Sequence, residues 1–235
     1  GGWAVPTIIP HGTDAQRERF VRPTLEGAIV WCQLLSEPGA GSDLASLSTR
    51  AVRDGDDWIL NGQKMWITNG SVSEVAVVWA RDGEKVRGFI VPKGTPGFAT
   101  QDIKGKMSLR ASVTSELMLT DVRLPDSARL PEVDSLRGPL SCLNEARYGI
   151  VWGAVGAARA CYQSALEYSL SRIQFGQPIA SFQLIQERLA KMATEVNRGF
   201  LTALRLGQLK DAGKIRPHHV SMGKLANVNG ALEVA

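Results

Sequence analysis

Residues 49–67 read Thr-Arg-Ala-Val-Arg-Asp-Gly-Asp-Asp-Trp-Ile-Leu-Asn-Gly-Gln-Lys-Met-Trp-Ile, and this stretch decides the fold class of the region around it. Its apolar residues come in short runs that are separated by Asp54-Gly55 and by Asn61-Gly62. Asp-Gly and Asn-Gly supply the positive φ angles that tight hairpins need, so each pair predicts a turn between two strands. The stretch therefore predicts short antiparallel strands joined by two hairpin turns.

The same pattern extends on both sides, from Trp31 to Pro125. Asp82-Gly83 separates an apolar run at 75–80 from another at 86–91, and Glu116–Leu124 reads as a last strand that Pro125 ends. No segment of helical length and period interrupts these strands. Their succession predicts an antiparallel β-sandwich or β-barrel.

Helical periodicity replaces this pattern beyond residue 130. The segment 149–170 is crowded with glycine and alanine, which predicts that another backbone approaches it closely. Apolar residues spaced by three and four predict one face of a following bundle helix: Ile185, Leu189, Met192, Val196 and Phe200. A third helix is predicted to begin near His218. At the other end, His11–Asp14 resembles a helix cap before Gln16–Phe20.

The composition is that of an ordinary soluble globular protein of 235 residues, with 44% hydrophobic and 21% charged residues. No apolar run is long enough to span a bilayer, and the net charge of +4 is too diffuse to indicate nucleic-acid binding. Three cysteines without paired spacing predict no disulfide framework and a reducing compartment, either a cytoplasm or, in a eukaryote, the mitochondrial matrix.

Two segments carry possible ligand chemistry, each with a plainer alternative. The glycine-rich loop Ser36–Asp43 can expose backbone N–H groups to a phosphate or a flavin, or it can simply connect two strands. It lacks the third glycine of a dinucleotide fingerprint. Trp66 beside Thr68 can give a flat stacking surface next to a hydroxyl, although a strand tryptophan is more often part of the core. His11, His218 and His219 form no metal-ligand cluster, so no metal site is predicted.

Three motifs in order closely resemble the acyl-CoA dehydrogenase family of flavoenzymes: Ser36–Asp43, Asn61–Asn69 and Arg172–Gln183. Within the family, residues 105–112, 142–150 and 184–186 are similar to the glutaryl-CoA dehydrogenase branch. The first 60 residues, and Trp31–Gly41 above all, are closer to general acyl-CoA dehydrogenases. A divergent branch and a recombined gene would both give this pattern.

The resemblance implies an α+β fold in three parts. These are the end of an N-terminal helical domain (1–30), a middle β domain (31–128) and an incomplete C-terminal helical bundle (129–235). The family is usually a homotetramer. The absence of an initiator methionine and a last helix that still continues at Ala235 lead us to expect a piece of a longer chain.

The resemblance also implies FAD as the cofactor, placed between the β domain and the bundle. The residues that match flavin contacts are Gln33, Leu34, Leu35, Ser36, Gly41, Ser42, Trp66, Ile67 and Thr68. Those that match contacts to the FAD diphosphate and adenosine of a neighbouring subunit are Arg172, Phe175 and Gln183. The residues that match the acyl-CoA substrate site are Ser42, Ser141, Leu143, Asn144 and Arg147.

The implied reaction is α,β-dehydrogenation of an acyl-CoA thioester, with electron-transfer flavoprotein as the acceptor, in fatty acid and amino acid catabolism. In the glutaryl branch the product also loses CO2 to give crotonyl-CoA. The alternatives are a short-chain acyl-CoA dehydrogenase, an acyl-CoA oxidase, or a non-catalytic flavin- or CoA-binding homologue. No glutamate here matches the catalytic base, which is expected beyond Ala235, so we expect the chain alone to be inactive.

Overall fold

A computed structural model describes residues 1–235 as two compact units, Gly1–Leu143 and Asn144–Ala235. The helices are α1 (Ala4–His11), α2 (Asp14–Leu25), α3 (Arg137–Ser171), α4 (Gln183–Asp211) and α5 (Pro217–Val234). The strands are β1 (Trp31–Leu34), β2 (Arg50–Asp54), β3 (Asp57–Thr68), β4 (Val75–Asp82), β5 (Lys85–Pro92), β6 (Phe98–Asp102), β7 (Thr114–Pro125), β8 (Ile173–Gln174) and β9 (Gln177–Pro178). This order of helices, strands and helices confirms the predicted class. None of the helices combines the length and the apolarity that a membrane crossing requires.

The first seven strands form one sheet in the order β1-β4-β2-β3-β7-β6, with β5 paired to β4. Most neighbours are antiparallel, but β1 runs parallel to β4, and β2 meets β4 in parallel at Arg50 and Arg81. The sheet is therefore mixed and not wholly antiparallel as predicted. A parallel neighbour requires a long connection, and residues 35–74, which hold the hairpin of β2 and β3, supply it.

Of the three predicted glycine turns, two are confirmed and one prediction is wrong. Gly55 and Gly83 have φ of +62° and +59° and close the hairpins β2–β3 and β4–β5. Asn61-Gly62 makes no turn, because β3 continues through it with a register shift against β7. A Cβ on Gly62 would lie 2.5 Å from Thr49 Oγ1 and 2.7 Å from Thr49 Cα. Glycine stands there because Thr49 approaches too closely for any side chain.

Strand β4 explains how the N-terminal unit is layered. Ala76, Val78 and Ala80 pack into an apolar cluster with Trp58 and Phe89. The alternate residues pack with the helices on the other face: Val75, Val77 and Trp79. Both faces of β4 are thus covered, which accounts for its continuous apolar run. Helix α2 begins at a capping box in which Thr13 and Gln16 bond each other's backbone, as the cap-like sequence predicted.

The C-terminal unit is helical, and α5 begins at Pro217 as expected. Asn227 joins its three helices by donating hydrogen bonds to the carbonyls of Val151 and Gly199, both at 3.0 Å. The predicted close approach along the glycine-rich part of α3 is wrong within this chain, since a Cβ on Gly149, Gly153 or Gly156 would have nothing within 4 Å. Tight approaches occur on the other helices instead, where a Cβ on Gly223 would lie 2.4 Å from Leu206. Composition shows where glycines are frequent but not which of them face a neighbour.

Candidate functional site

The glycine-rich loop leaves β1 through a closed four-residue turn. Glu37 N–H donates to the Ala40 carbonyl at 2.9 Å, and Ala40 N–H donates back to Glu37 at 3.1 Å. Beyond the turn, Gly41 and Ser42 are exposed. A Cβ on Gly39 or Gly41 would have nothing within 4 Å, so the loop borders open space.

A bulge in β3 presents Trp66. The register against β7 shifts between Lys64 and Ile67, and Trp66 adopts φ of +64°, which is uncommon for a bulky residue. Its side chain is 58% exposed, whereas Lys64 and Ile67 on either side are buried. The bulge thus turns a flat aromatic ring outwards from an otherwise half-buried strand, contrary to the plainer alternative that it belongs to the core.

The loop and the bulge are neighbours. Met65 N–H donates a hydrogen bond of 2.9 Å to the carbonyl of Ser36. Thr68, at the end of the same strand, is also exposed, and Asn69 after it has φ of +65°. The structure therefore brings together two of the three motifs that the sequence singled out, namely the glycine-rich loop and the strand with Trp66 and Thr68.

A buried ion pair fastens the loop to the strand. Lys64 Nζ lies 2.9 Å from Glu37 Oε1, and the two side chains are 0% and 2% exposed. Glu37 also accepts hydrogen bonds from the N–H and the hydroxyl of Ser48 and from the N–H of Thr49. Lys64 donates a further bond to the Leu35 carbonyl at 3.3 Å. The carboxylate and the ammonium are thus both solvated by the protein itself.

The surroundings set the pKa values of this pair. Burial by itself raises the pKa of Glu37, but hydrogen bonds from Thr49 and Ser48 and the bond and charge of Lys64 outweigh it and lower that pKa to about 2. Burial lowers the pKa of Lys64, and the bond and charge of Glu37 oppose this. Glu37 is therefore a carboxylate at neutral pH and is unsuited to act as a base.

The remaining predicted flavin contacts lie on β1, directly after it and on β3, with their side chains directed into the protein. Gln33 accepts a bond from Trp79 Nε1 at 3.0 Å and donates to Thr7 Oγ1 at 2.9 Å. Leu34, Leu35 and Ile67 are buried in the apolar clusters. These four residues have only backbone groups to offer a ligand. Strand β1 ends the sheet and pairs only with β4, which leaves one side of its backbone outside the sheet's hydrogen bonding.

The predicted substrate contacts differ in their freedom to bind. Ser141 donates to the Gly138 carbonyl at 2.7 Å and lies 3.1 Å from His11 Nε2. A hydroxyl has one proton, so His11 must be the donor in the second contact, and Ser141 is engaged in both roles. Burial also lowers the pKa of His11. Leu143 packs against the apolar cluster beneath the helices. In the C-terminal unit, Asn144 is half-buried and Arg147 is exposed.

The third motif forms a small hairpin between α3 and α4. Ile173–Gln174 pairs with Gln177–Pro178, and Phe175 at the tip has φ of +50° and is 94% exposed. Its ring meets that of Phe182 edge to face, with centroids 6.1 Å apart. Arg172 precedes the hairpin and Gln183 begins α4, and both are exposed. The motif presents its side chains to the outside of its own unit.

Glu37 and Lys64 were not among the predicted site residues, although both lie inside the quoted motifs. One signal could have found Lys64. If the strand is continued through Asn61-Gly62, alternation places Lys64 on the same side as Trp58 and Leu60, and a lysine at an inward position needs a buried partner. Nothing in the local sequence names that partner, which lies 27 residues away.

Comparisons with family models match two segments of the chain to two domains of one family. Residues 32–122 match the acyl-CoA dehydrogenase middle domain, and residues 137–235 match the acyl-CoA dehydrogenase C-terminal domain.

Two solved structures are closely similar. The crystal structure of a glutaryl-CoA dehydrogenase from Mycobacterium smegmatis superposes with a TM-score of 0.96 at 58% identity, over 100% of this chain and 60% of that one. A second glutaryl-CoA dehydrogenase from that organism, in complex with FADH2, is 49% identical with the same TM-score, over 100% of this chain and 61% of the other.

Among curated relatives, the mitochondrial short-chain specific acyl-CoA dehydrogenase of Rattus norvegicus is 35% identical over 97% of this chain. The chain spans 57% of the length of that relative.

Proposed function

Because the chain belongs to the acyl-CoA dehydrogenase family, we propose that it serves an FAD-dependent dehydrogenation of glutaryl-CoA, with decarboxylation to crotonyl-CoA. The observation that carries this proposal is the exposed indole of Trp66 beside the glycine-rich loop, within a chain that is 58% identical to a glutaryl-CoA dehydrogenase. The similarity supports the choice of substrate. The exposed Trp66 together with the glycine-rich loop, which we call the flavin platform, supports the choice of cofactor.

The residues of the N-terminal unit suit a flavin. The ring of Trp66 offers a flat apolar face, and the exposed Thr68 offers a hydroxyl two residues further along. The outer edge of β1 and the loop to Ser42 offer backbone N–H and carbonyl groups of the kind that bind a polar heterocycle. When bound, FAD supplies the hydride acceptor of the reaction. The role of Trp66 and Thr68 is to hold the ring in one orientation and shield one face from water.

The Phe175 hairpin suits the diphosphate and adenosine end of an FAD molecule. Arg172 and Gln183 are exposed on both sides of it, and a guanidinium matches the oxygens of a diphosphate in pairs. We assign Arg172, Phe175 and Gln183 to the diphosphate and adenosine of FAD held by a neighbouring subunit, as in a homotetramer. Their outward orientation supports this assignment.

On the substrate side, Ser42, Asn144 and Arg147 have side chains that are exposed or half-buried. We assign Ser42 to the pantetheine arm of coenzyme A and Asn144 and Arg147 to the thioester ligand. The hydroxyl of Ser141 already donates to Gly138 and accepts from His11, which leaves it one further acceptor site for a donor group of the ligand. Leu143 contributes through packing.

The base that removes the α-proton is assigned to none of these 235 residues, and we propose that the chain alone has no turnover. Formation of an enoyl-CoA by the isolated chain would contradict this. Electron-transfer flavoprotein is proposed as the acceptor, in a cytoplasm or a mitochondrial matrix.

A second candidate is a short-chain acyl-CoA dehydrogenase without decarboxylation. It is favoured by the 35% identity to the rat short-chain enzyme. The segment Trp31–Gly41, which is closer to general acyl-CoA dehydrogenases than to the glutaryl branch, also favours it. The two candidates differ in the acyl chain that reduces the flavin and in whether CO2 is released.

The experiment is an anaerobic titration of the native holoenzyme with glutaryl-CoA and, separately, butyryl-CoA. Flavin absorbance and CO2 are followed together. Bleaching and CO2 release with glutaryl-CoA are expected. Bleaching by butyryl-CoA alone would replace the first candidate by the second, and no bleaching by either thioester would contradict both. Reoxidation by O2 in place of electron-transfer flavoprotein would indicate an oxidase.

A further inference from the structure

We propose that the buried pair of Glu37 and Lys64 positions the flavin platform, which is formed by the loop Ser36–Ser42 and the exposed Trp66. This inference rests on the proposed binding of FAD next to Trp66. Neither residue is exposed enough to touch a ligand, so both act through the loop and the bulge that they join.

The pair lies where the two halves of the platform meet. Glu37 opens the turn that carries the loop to Ser42, and Lys64 immediately precedes the bulge that carries Trp66. Backbone bonding continues the same connection one residue along each segment, from Met65 N–H to the Ser36 carbonyl. Side chains and main chain together hold the loop against the strand at consecutive residues.

The bonds of Glu37 reach a third segment. Its carboxylate accepts the N–H groups of Ser48 and Thr49, at 2.5 and 3.0 Å, just where the chain enters β2. The far end of the loop is thereby tied to its beginning. Lys64 closes the set by donating to Leu35 at the end of β1. One ion pair therefore fixes both ends of the loop and the strand beneath it.

Stability alone does not explain such a pair. Desolvation offsets much of the attraction between buried charges, and well-packed apolar residues in their place are often neutral or stabilising. An apolar pair, however, cannot accept the N–H groups of Ser48 and Thr49 or bond the Leu35 carbonyl. The ions thus supply a defined loop conformation that an apolar core would not.

The test uses the double variant Glu37→Leu with Lys64→Met, which replaces both ions by apolar side chains of similar size. The matched control is Val122→Ala, which removes buried volume from β7 where it pairs with Leu60, several residues from the bulge between Lys64 and Ile67. For each protein, three quantities are measured: the melting temperature, the dissociation constant for FAD, and amide hydrogen exchange of residues 36–42 in the FAD-free protein.

We expect the double variant to fold but to melt below the native protein, because the buried N–H of Thr49 loses its acceptor. Its dissociation constant for FAD rises at least tenfold, and exchange at residues 36–42 quickens at least tenfold. The control melts lower but keeps both of the other values within about twofold. FAD binding by the double variant as tight as that of the native protein overturns the proposal, as does unchanged exchange.

A milder variant decides the matter if the double variant does not fold. Glu37→Gln keeps the size and part of the bonding but removes the charge, and it should quicken exchange at residues 36–42 while leaving β7 protected. Native exchange in this variant overturns the proposal. If the native protein itself fails to bind FAD, the proposed function fails, while the exchange comparison still decides whether the pair positions the loop.

Discussion

The Trp66 platform and the Phe175 hairpin each present an aromatic residue at positive φ, but they are supported in different ways. The strand that carries Trp66 is joined to the loop by the bond from Met65 N–H to Ser36 and by the buried ion pair of Lys64 and Glu37. Phe175 is held by a two-pair hairpin and one edge-to-face contact with Phe182. The first surface is organised in advance by its own unit, whereas the second is almost fully exposed. The difference indicates a rigid support on one side and, on the other, a surface to be completed by another molecule.

The largest expected effect on stability comes from removing one charge of the ion pair. Lys64→Met leaves the Glu37 carboxylate buried without its partner, and we expect the free energy of unfolding of the N-terminal unit to fall by about 3–5 kcal/mol. Arg172→Met, at the exposed hairpin, is the matched charge removal and should change stability by less than about 0.5 kcal/mol. Urea unfolding measures both. Equal losses in the two variants would show that the platform is no better supported than the hairpin.

Acid should lower the free energy of unfolding by protonating the carboxylate of Glu37. The pKa of Glu37 is about 2 in the folded protein and near the ordinary 4.5 when unfolded. Its contribution is therefore complete above pH 4.5 and is lost as the pH falls through the folded value. By linkage, the loss amounts to about 3 kcal/mol. The pH dependence of unfolding between pH 5 and 2 measures it. Glu37→Gln should lack this dependence, and an unchanged slope in that variant would rule out Glu37 as its source.

A smaller effect is expected at Gly62, within the strand that carries Trp66. In Gly62→Ala the new methyl group meets Thr49 at 2.5 Å, so β3 must shift, and we expect a loss of about 1–3 kcal/mol. Gly39→Ala is the control, because a Cβ there has nothing within 4 Å. Thermal unfolding distinguishes the two. A native melting temperature for Gly62→Ala would mean that Thr49 yields without cost.

The smallest effect on stability should come from the hairpin tip. Phe175 is 94% exposed, so Phe175→Ala should change the free energy of unfolding by less than about 0.5 kcal/mol. If the hairpin serves FAD of a neighbouring subunit, the same variant should nevertheless bind FAD more weakly. Chemical denaturation and an FAD titration on one preparation check both statements. A large loss of stability would show that the hairpin is supported from within its unit.

Local patterns predicted the elements well where the deciding contacts are local. The Asp-Gly turns, the Thr13 cap and the start of α5 follow from residues within a few positions of one another. Asn61-Gly62 carries the same dipeptide signal but is decided by Thr49, which lies across the hairpin. No rule on neighbouring residues could separate the two outcomes.

The motifs of the site could be predicted from the sequence, but the contacts that hold them in place could not. Resemblance placed Trp66, Thr68 and the loop among the candidate contacts, and the structure brings the loop and the strand together. The bond between His11 and Ser141 spans 130 residues, so its effect on the Ser141 hydroxyl could not be seen in the sequence. The exposure of Trp66 depends on a bulge, which alternation alone does not reveal.

The most direct measurement of the central claim is an FAD titration of the native protein and of Trp66→Ala. Stacking of a flat heterocycle on an aromatic ring contributes roughly 1–3 kcal/mol, so the dissociation constant should rise at least about fivefold. Because Trp66 is 58% exposed, the melting temperature should hardly change. Equal affinity of the two proteins for FAD would contradict the claim that this exposed indole, beside the glycine-rich loop, is the flavin platform.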